Sequence, residues 1–261
     1  MKLKIITLLI ILTTFIAISI LNLETNTKKG INYVVNEHRI TIGSKIYDFF
    51  KRHYFYKNLI DEILLENKFS FHKQNNINEV LLINNWLLEN VKRISKGDTI
   101  IDFHPSTIIT RAKATSDQFN DLYSILLVYK KFDSFYKFIN YNNVSYPFTF
   151  IKIDNHWTVI DPYNGLYFVN ENKLASIKDM KNNNFKIISL LNNIDNNNKY
   201  IFFDNFINKK ILKNKINKIF INFDIEEAIS SKHRYERGGR SYLQDPINRI
   251  NFEILKIFNI I

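Results

Sequence analysis

The sequence predicts an α+β protein, with helices packed on an antiparallel sheet behind an N-terminal membrane helix. Three observations carry this. From residue 44 to 131 apolar side chains recur at spacings of three and four, from Tyr146 to Asp161 they alternate, and an uncharged run follows two lysines at the N-terminus. A chain of 261 residues, 46% hydrophobic and 15% aromatic, has material for one sizeable core.

The N-terminal stretch "MKLKIITLLIILTTFIAISILNLETNTKK" sets Lys2 and Lys4 before a run without charge from Ile5 to Leu23, closed by Glu24. About 20 apolar residues cross a hydrocarbon layer as a helix. Ala17-Ile18-Ser19 offers small residues to a signal peptidase, but Ile20, Leu21 and Leu23 carry the apolar run past that point. Residues 1–23 are therefore expected to form an uncleaved signal-anchor with its amino end inside, and the rest of the chain to lie outside the cytoplasm, in a periplasm or at a cell surface. Residues 24–43 read as a spacer.

"SKIYDFFKRHYFYKNLIDEILLEN", residues 44–67, starts at a Ser cap and repeats Ile46, Phe49, Phe50, Tyr54, Leu59, Ile60, Ile63 and Leu64, predicting an amphipathic helix broken near Phe55. Residues 75–94 predict a second, with Ile77, Val80, Leu81, Leu87, Leu88 and Val91 inward and Trp86 near the seam. A third runs from Ser116 to Lys131 on Phe119, Leu122, Tyr123, Leu126 and Tyr129. The period then changes to two: Tyr146, Phe148 and Phe150 alternate with polar Thr149 and Lys152, Asp154-Asn155 makes a turn, and Trp157, Val159 and Asp161 follow. Asp245 with Pro246 caps a last helix carrying Ile250, Ile254, Leu255, Ile257 and Phe258, and the Asn tracts at 182–184 and 196–198 read as loops.

The absence of cysteine excludes disulfides, thiolate metal sites and a cysteine nucleophile. The six histidines, His38, His53, His72, His104, His156 and His233, lack zinc-site spacing, so neither a metal nor a cofactor is expected. A net charge of +11 suits a membrane surface, an anionic glycan or nucleic acid; an exported domain rarely meets the last. The basic segment "SSKHRYERGGRSYLQDPINR" supplies a candidate binding set, His233, Arg234, Arg237, Arg240 and Tyr242, around Gly238-Gly239. Arginine clasps phosphate or carboxylate in a fork and tyrosine stacks on sugar rings, so an anionic glycan or lipid headgroup is the ligand chemistry it fits. The same arginines would equally serve as partners for the protein's own acids.

Two helices, a loop, a helix opened by "ATSDQF" and a hairpin closed by "WTVIDP": this order resembles the transglutaminase-like superfamily. The resemblance implies a papain-like fold over residues 44–261, with its core at about 77–168 and a basic C-terminal extension. In that family G-x-C-x-D-F-A opens the central helix, a histidine sits on the first hairpin strand, and W-V-x-x-D-P ends the second. Here Ser116 stands for the cysteine, Ala114 for the glycine and Gln118 for the acid; Tyr146 or Phe148 falls at the histidine; Asp161 matches the aspartate.

The triad Ser116, Tyr146 and Asp161 is thus degenerate. A serine hydroxyl needs a positioned base even more than a thiol does. His104, in "DFHPS", is the one histidine whose loop approaches the helix start, whereas His156 lies at the far end of the strand from Asp161. The structural alternative is specific: Thr115 and Gln118 spell a capping box, with Ser116 merely in the first turn and Asp161 bonding a turn. The expected function is a non-catalytic binding or scaffolding module of a bacterial envelope, directed to surface glycan. The rival is a serine amidase or acyltransferase of the same fold, recognisable by an imidazole within reach of Ser116.

Overall fold

The structure is a computed structural model that describes residues 2–22, 41–66, 76–94, 105–191 and 209–229. The chain divides into two compact units, Met1–Phe55 and Tyr56–Ile261.

In the first unit, helix α1 (Lys2–Leu21) has no inward face: Ile6, Ile10, Leu12, Phe15 and Ile18 are all exposed. Its polar side chains bond to its own backbone, Thr13 to the Leu9 carbonyl at 3.0 Å, Thr14 to Ile10 at 2.8 Å and Ser19 to Phe15 at 2.9 Å. Among the described residues no helix is long and apolar enough to cross a membrane.

Helix α2 (Ile42–Glu66) begins in this unit. Its cap is Thr41 rather than Ser44: the Thr41 N–H donates to Ser44 Oγ at 3.0 Å and the Ser44 N–H to Thr41 Oγ1 at 3.1 Å, a reciprocal box. The helix also runs unbroken past Phe55. Ile46, Phe50 and Tyr54, expected inward, are exposed. Within the first unit these side chains project from α2 with no described residue over them that buries them.

The second unit begins with the rest of α2. Helix α3 (Asn76–Asn90) buries Val80, Ile83, Asn84 and Leu87. Strand β1 (Lys92–Arg93) pairs in parallel with β2 (Lys113–Ala114), and α4 (Pro105–Arg111) lies between them in the chain. Helix α5 (Ser116–Tyr129) is buried on every side from Gln118 onward. Then come β3 (Ser134–Tyr141), β4 (Val144–Ile153), β5 (His156–Asp161), β6 (Leu166–Asn170), β7 (Lys173–Leu174), α6 (Ile177–Lys181) and β8 (Lys186–Ser189). Two helices close the described chain, α7 (Lys209–Phe220) and α8 (Ile225–Ile229).

The sheet is an antiparallel meander, β3-β4-β5-β6-β7, with β8 on the free side of β6. The turn of the β4–β5 hairpin is Asp154-Asn155, both at positive φ (49° and 64°), as a two-residue hairpin of this twist requires. This is the α+β class with helices on an antiparallel sheet, and the helices expected over 44–67, 75–94 and 116–131 and the hairpin over 146–161 are present.

The sheet differs from expectation in being covered on both faces. One face carries Ile151, Ile153 and Ile160 into a core with Tyr56, Ile60, Val80, Leu87, Phe119 and Tyr123. The other carries Tyr146, Phe148, Phe150, Val159 and Phe168 against Met180, Ile216, Phe220 and Phe223. Thr149, expected on a polar side, is consequently fully buried. His104, the basic set His233, Arg234, Arg237, Arg240 and Tyr242, the tract at 196–198 and the last helix lie outside the described residues.

Asn84 is the polar residue that fits this core least. It is fully buried, and among the described residues neither its side-chain oxygen nor its nitrogen has a hydrogen-bond partner. An unpaired buried polar group costs about 1–3 kcal/mol. Asn84→Leu, which keeps the branched shape, is expected to raise the denaturant midpoint by an amount worth about 1–3 kcal/mol with the slope unchanged.

Candidate functional site at the start of α5

Strands β1 and β2 bring the chain to the start of α5, and Thr115 caps the helix in an extended conformation. The expected capping box is present: Gln118 Oε1 accepts the Thr115 N–H at 3.3 Å. The reciprocal half is looser, because the Thr115 hydroxyl makes no cap hydrogen bond and instead donates to Asp117 Oδ1 at 2.6 Å. Arg111 Nη2 also donates to Gln118 Oε1, at 2.6 Å, while its Nε holds the Lys113 carbonyl at 2.7 Å. Gln118, where the resemblance expects an acid, is therefore a clamp between the cap and α4.

Ser116 is half-buried in the first turn. Its carbonyl accepts Asn120 Nδ2 at 2.8 Å, and Asn120 Oδ1 in turn accepts the Thr149 hydroxyl of β4 at 2.9 Å. Asn120 and Thr149 are both wholly buried. The residue that reaches from β4 to the start of α5 is thus Thr149. Neighbours along a strand point to opposite faces, so Tyr146 and Phe148 face away from the helix. Phe148 lies with its ring 5.2 Å from that of Phe220, and Lys215 Nζ stands 5.4 Å over the Tyr146 ring.

Asp161 belongs to a second cluster. Its Oδ1 accepts the Asn164 N–H at 3.2 Å and its Oδ2 accepts Asn164 Nδ2 at 2.6 Å, closing the turn that follows β5. Arg93 Nη1 donates to the Tyr163 carbonyl at 3.1 Å, the Tyr163 hydroxyl donates to the Ile94 carbonyl at 2.9 Å, and the Tyr163 ring meets Phe119 edge-on at 5.7 Å. Gly165, at φ +63°, completes the turn; a Cβ there would stand 3.0 Å from Leu88 Cδ1. Burial pushes the Asp161 carboxyl up from 3.8 to about 6, against the opposing pull of the Asn164 hydrogen bonds and the Arg93 guanidinium.

The two clusters share Phe119 and Tyr163 as neighbours, and no hydrogen bond between Ser116 and Asp161 is present among the described residues. His156 is exposed at the hairpin turn, its Nδ1 2.7 Å from the Asp154 carbonyl oxygen. No group of three or more His, Asp or Glu among the described residues could hold a metal ion. Elsewhere, a cleft of about 400 Å³ opens between α2 and α3, lined by Leu59, Glu62, Leu82, Asn85, Trp86 and Glu89. Trp86, which the sequence places at a seam, is one of its walls.

Asn120, Thr149, Arg93 and Asn164 are the residues that sequence reasoning did not single out. Thr149 alone left a local sign, as a polar residue inside the apolar stretch "YPFTFI". The other three take their roles from partners distant in the chain or from the closing turn.

Two outcomes follow from this geometry. Thr149→Val leaves the buried Asn120 oxygen without its donor and should cost about 1–3 kcal/mol in chemical unfolding, whereas Ser116→Ala should cost less than about 0.5 kcal/mol. Asp161 binds its proton more tightly folded than unfolded, so its stabilising contribution is full below pH about 4 and is lost as pH rises to about 6. Unfolding midpoints measured from pH 4 to 8 should show the wild type losing up to about 3 kcal/mol that Asp161→Asn does not lose.

Compared with known proteins, the chain matches no family model, no curated protein and no solved structure.

Proposed function

We propose that this chain is a membrane-anchored, non-catalytic module of transglutaminase-like, papain-like build, acting outside the cytoplasm of a bacterium as a binding or scaffolding protein. The observation that carries the non-catalytic part is the parity of β4. Thr149 rather than Tyr146 or Phe148 faces α5, and its hydroxyl donates to Asn120, whose amide holds the Ser116 carbonyl, so this face of β4 offers the helix a hydroxyl where a base would be needed. Asp161 is likewise engaged by Asn164 and buried, which fits a turn-holding carboxylate.

The papain-like build is supported by the order of elements, a central helix followed by an antiparallel hairpin that ends in Asp161. Membrane attachment is supported by the uncharged run from Ile5 to Leu23. It is supported too by the exposure of α1 on all sides and by the internal bonding of its Thr and Ser hydroxyls, both suited to lipid. For the ligand, the support is the composition of the segment holding His233, Arg234, Arg237, Arg240 and Tyr242, whose chemistry suits an anionic glycan or lipid headgroup.

A serine-directed fluorophosphonate probe tests the catalytic question on the full chain in detergent. No labelling beyond that of Ser116→Ala is expected. Labelling that Ser116→Ala abolishes would establish an activated serine and with it the amidase or acyltransferase reading.

A further inference from the structure

The first half of α2 presents an apolar stripe to solvent. Ile46, Phe50 and Tyr54 follow one another at spacings of four, with Tyr47 beside them, and they are 44, 55, 68 and 66% exposed in that order. Four large side chains on one helix face form a patch that a water-facing surface seldom keeps without a partner.

Its partner is indicated by what adjoins it. At the start of α2, Gly43 packs so closely on the end of α1 that a Cβ would stand 3.0 Å from the Leu21 carbonyl oxygen. The stripe therefore begins one turn from the point where the all-round apolar helix ends. Its composition is also that of a bilayer boundary: two tyrosines with an apolar ring and a polar tip, a phenylalanine held edge-on to Phe49 at 5.7 Å, and exposed Lys51 alongside. Lysine stretched over such a stripe keeps its stem on the rings and its charge among headgroups.

We infer that the stripe Ile46, Tyr47, Phe50 and Tyr54 lies in the headgroup layer of the lipid that takes up α1, making the first turns of α2 an interfacial helix. This rests on the proposed membrane attachment and adds a second contact to it. A second copy of the chain covering the stripe is the competing occupant.

Because the chain has no cysteine, one introduced cysteine is a unique labelling site. Full-length Phe50→Cys, Tyr54→Cys and, as a control on α6, Lys178→Cys carry an environment-sensitive fluorophore and are reconstituted with phosphatidylcholine–phosphatidylglycerol vesicles. With the wild type floating with the vesicles, the probes at positions 50 and 54 should shift to shorter wavelength, brighten at least about twofold and be quenched by a headgroup nitroxide lipid, while that at 178 stays unchanged. Flotation with the probes at 50 and 54 behaving like that at 178 would overturn the interfacial role and leave the anchor standing. A shift that follows protein concentration without lipid would assign the stripe to a second copy and overturn it too. Failure of the wild type to float would remove the anchor itself, and this inference with it.

Discussion

The hydrogen bond from Thr149 to Asn120 fixes how the sheet of the larger unit meets its central helix. Asn120 sits wholly buried on α5, where an amide without a partner would cost about 1–3 kcal/mol. Its oxygen takes the Thr149 hydroxyl and its nitrogen holds the Ser116 carbonyl. A slip of β4 by one residue would present Phe148 or Phe150 to that amide and bury the threonine among phenylalanines. With Thr149 inward, Ile151 and Ile153 also turn toward α5, and Tyr146, Phe148 and Phe150 turn away. The whole second core follows: Phe150 stacks on Phe135 at 5.0 Å and on Phe223 at 4.9 Å, and Phe220 fills the space beside Phe148.

The same constraint shapes the start of α5. A helix buried on all sides cannot leave its first N–H groups and polar side chains to water, so the chain around it supplies partners. Thr115 and Arg111 share the Gln118 oxygen, Asn120 folds back on Ser116, and Ser124 donates to the Asp121 carbonyl at 2.9 Å. These bonds tie the cap, α4 and the first two turns of α5 together. Asp161 is drawn into another task, holding the turn whose Tyr163 and Gly165 pack on Phe119 and Leu88.

What the sequence made legible was local. Helical spacing located α3 and α5, the Asp154-Asn155 pair located a hairpin turn, and the T-x-x-Q pattern located the cap, because each depends on neighbours within a few residues. What stayed hidden depends on distance in the chain. β4 is apolar at both parities, at Tyr146, Pro147, Phe148, Phe150 and Ile151, so alternation could not say which face meets the helix. The Thr149–Asn120 contact spans 29 residues and that of Arg93 with Tyr163 spans 70. In α2 the repeat was right and its burial was not: a row at spacings of four looks like a core stripe in a sequence, yet Ile46, Phe50 and Tyr54 are exposed.

The meander has a consequence for the way the larger unit comes together. Each of strands β4 to β7 pairs with the one made just before it, and tight turns such as Asp154-Asn155 join them. The sheet needs no strand from far along the chain to be threaded between two others. Closing such short loops costs little chain entropy, which favours rapid, hairpin-by-hairpin growth as the chain lengthens. The slow part of assembly then falls to coverage. α5 is made before the sheet it will meet and α7 after it, so a growing meander carries one face ready to be seated and one face of bare phenylalanines until Phe220 and Phe223 arrive.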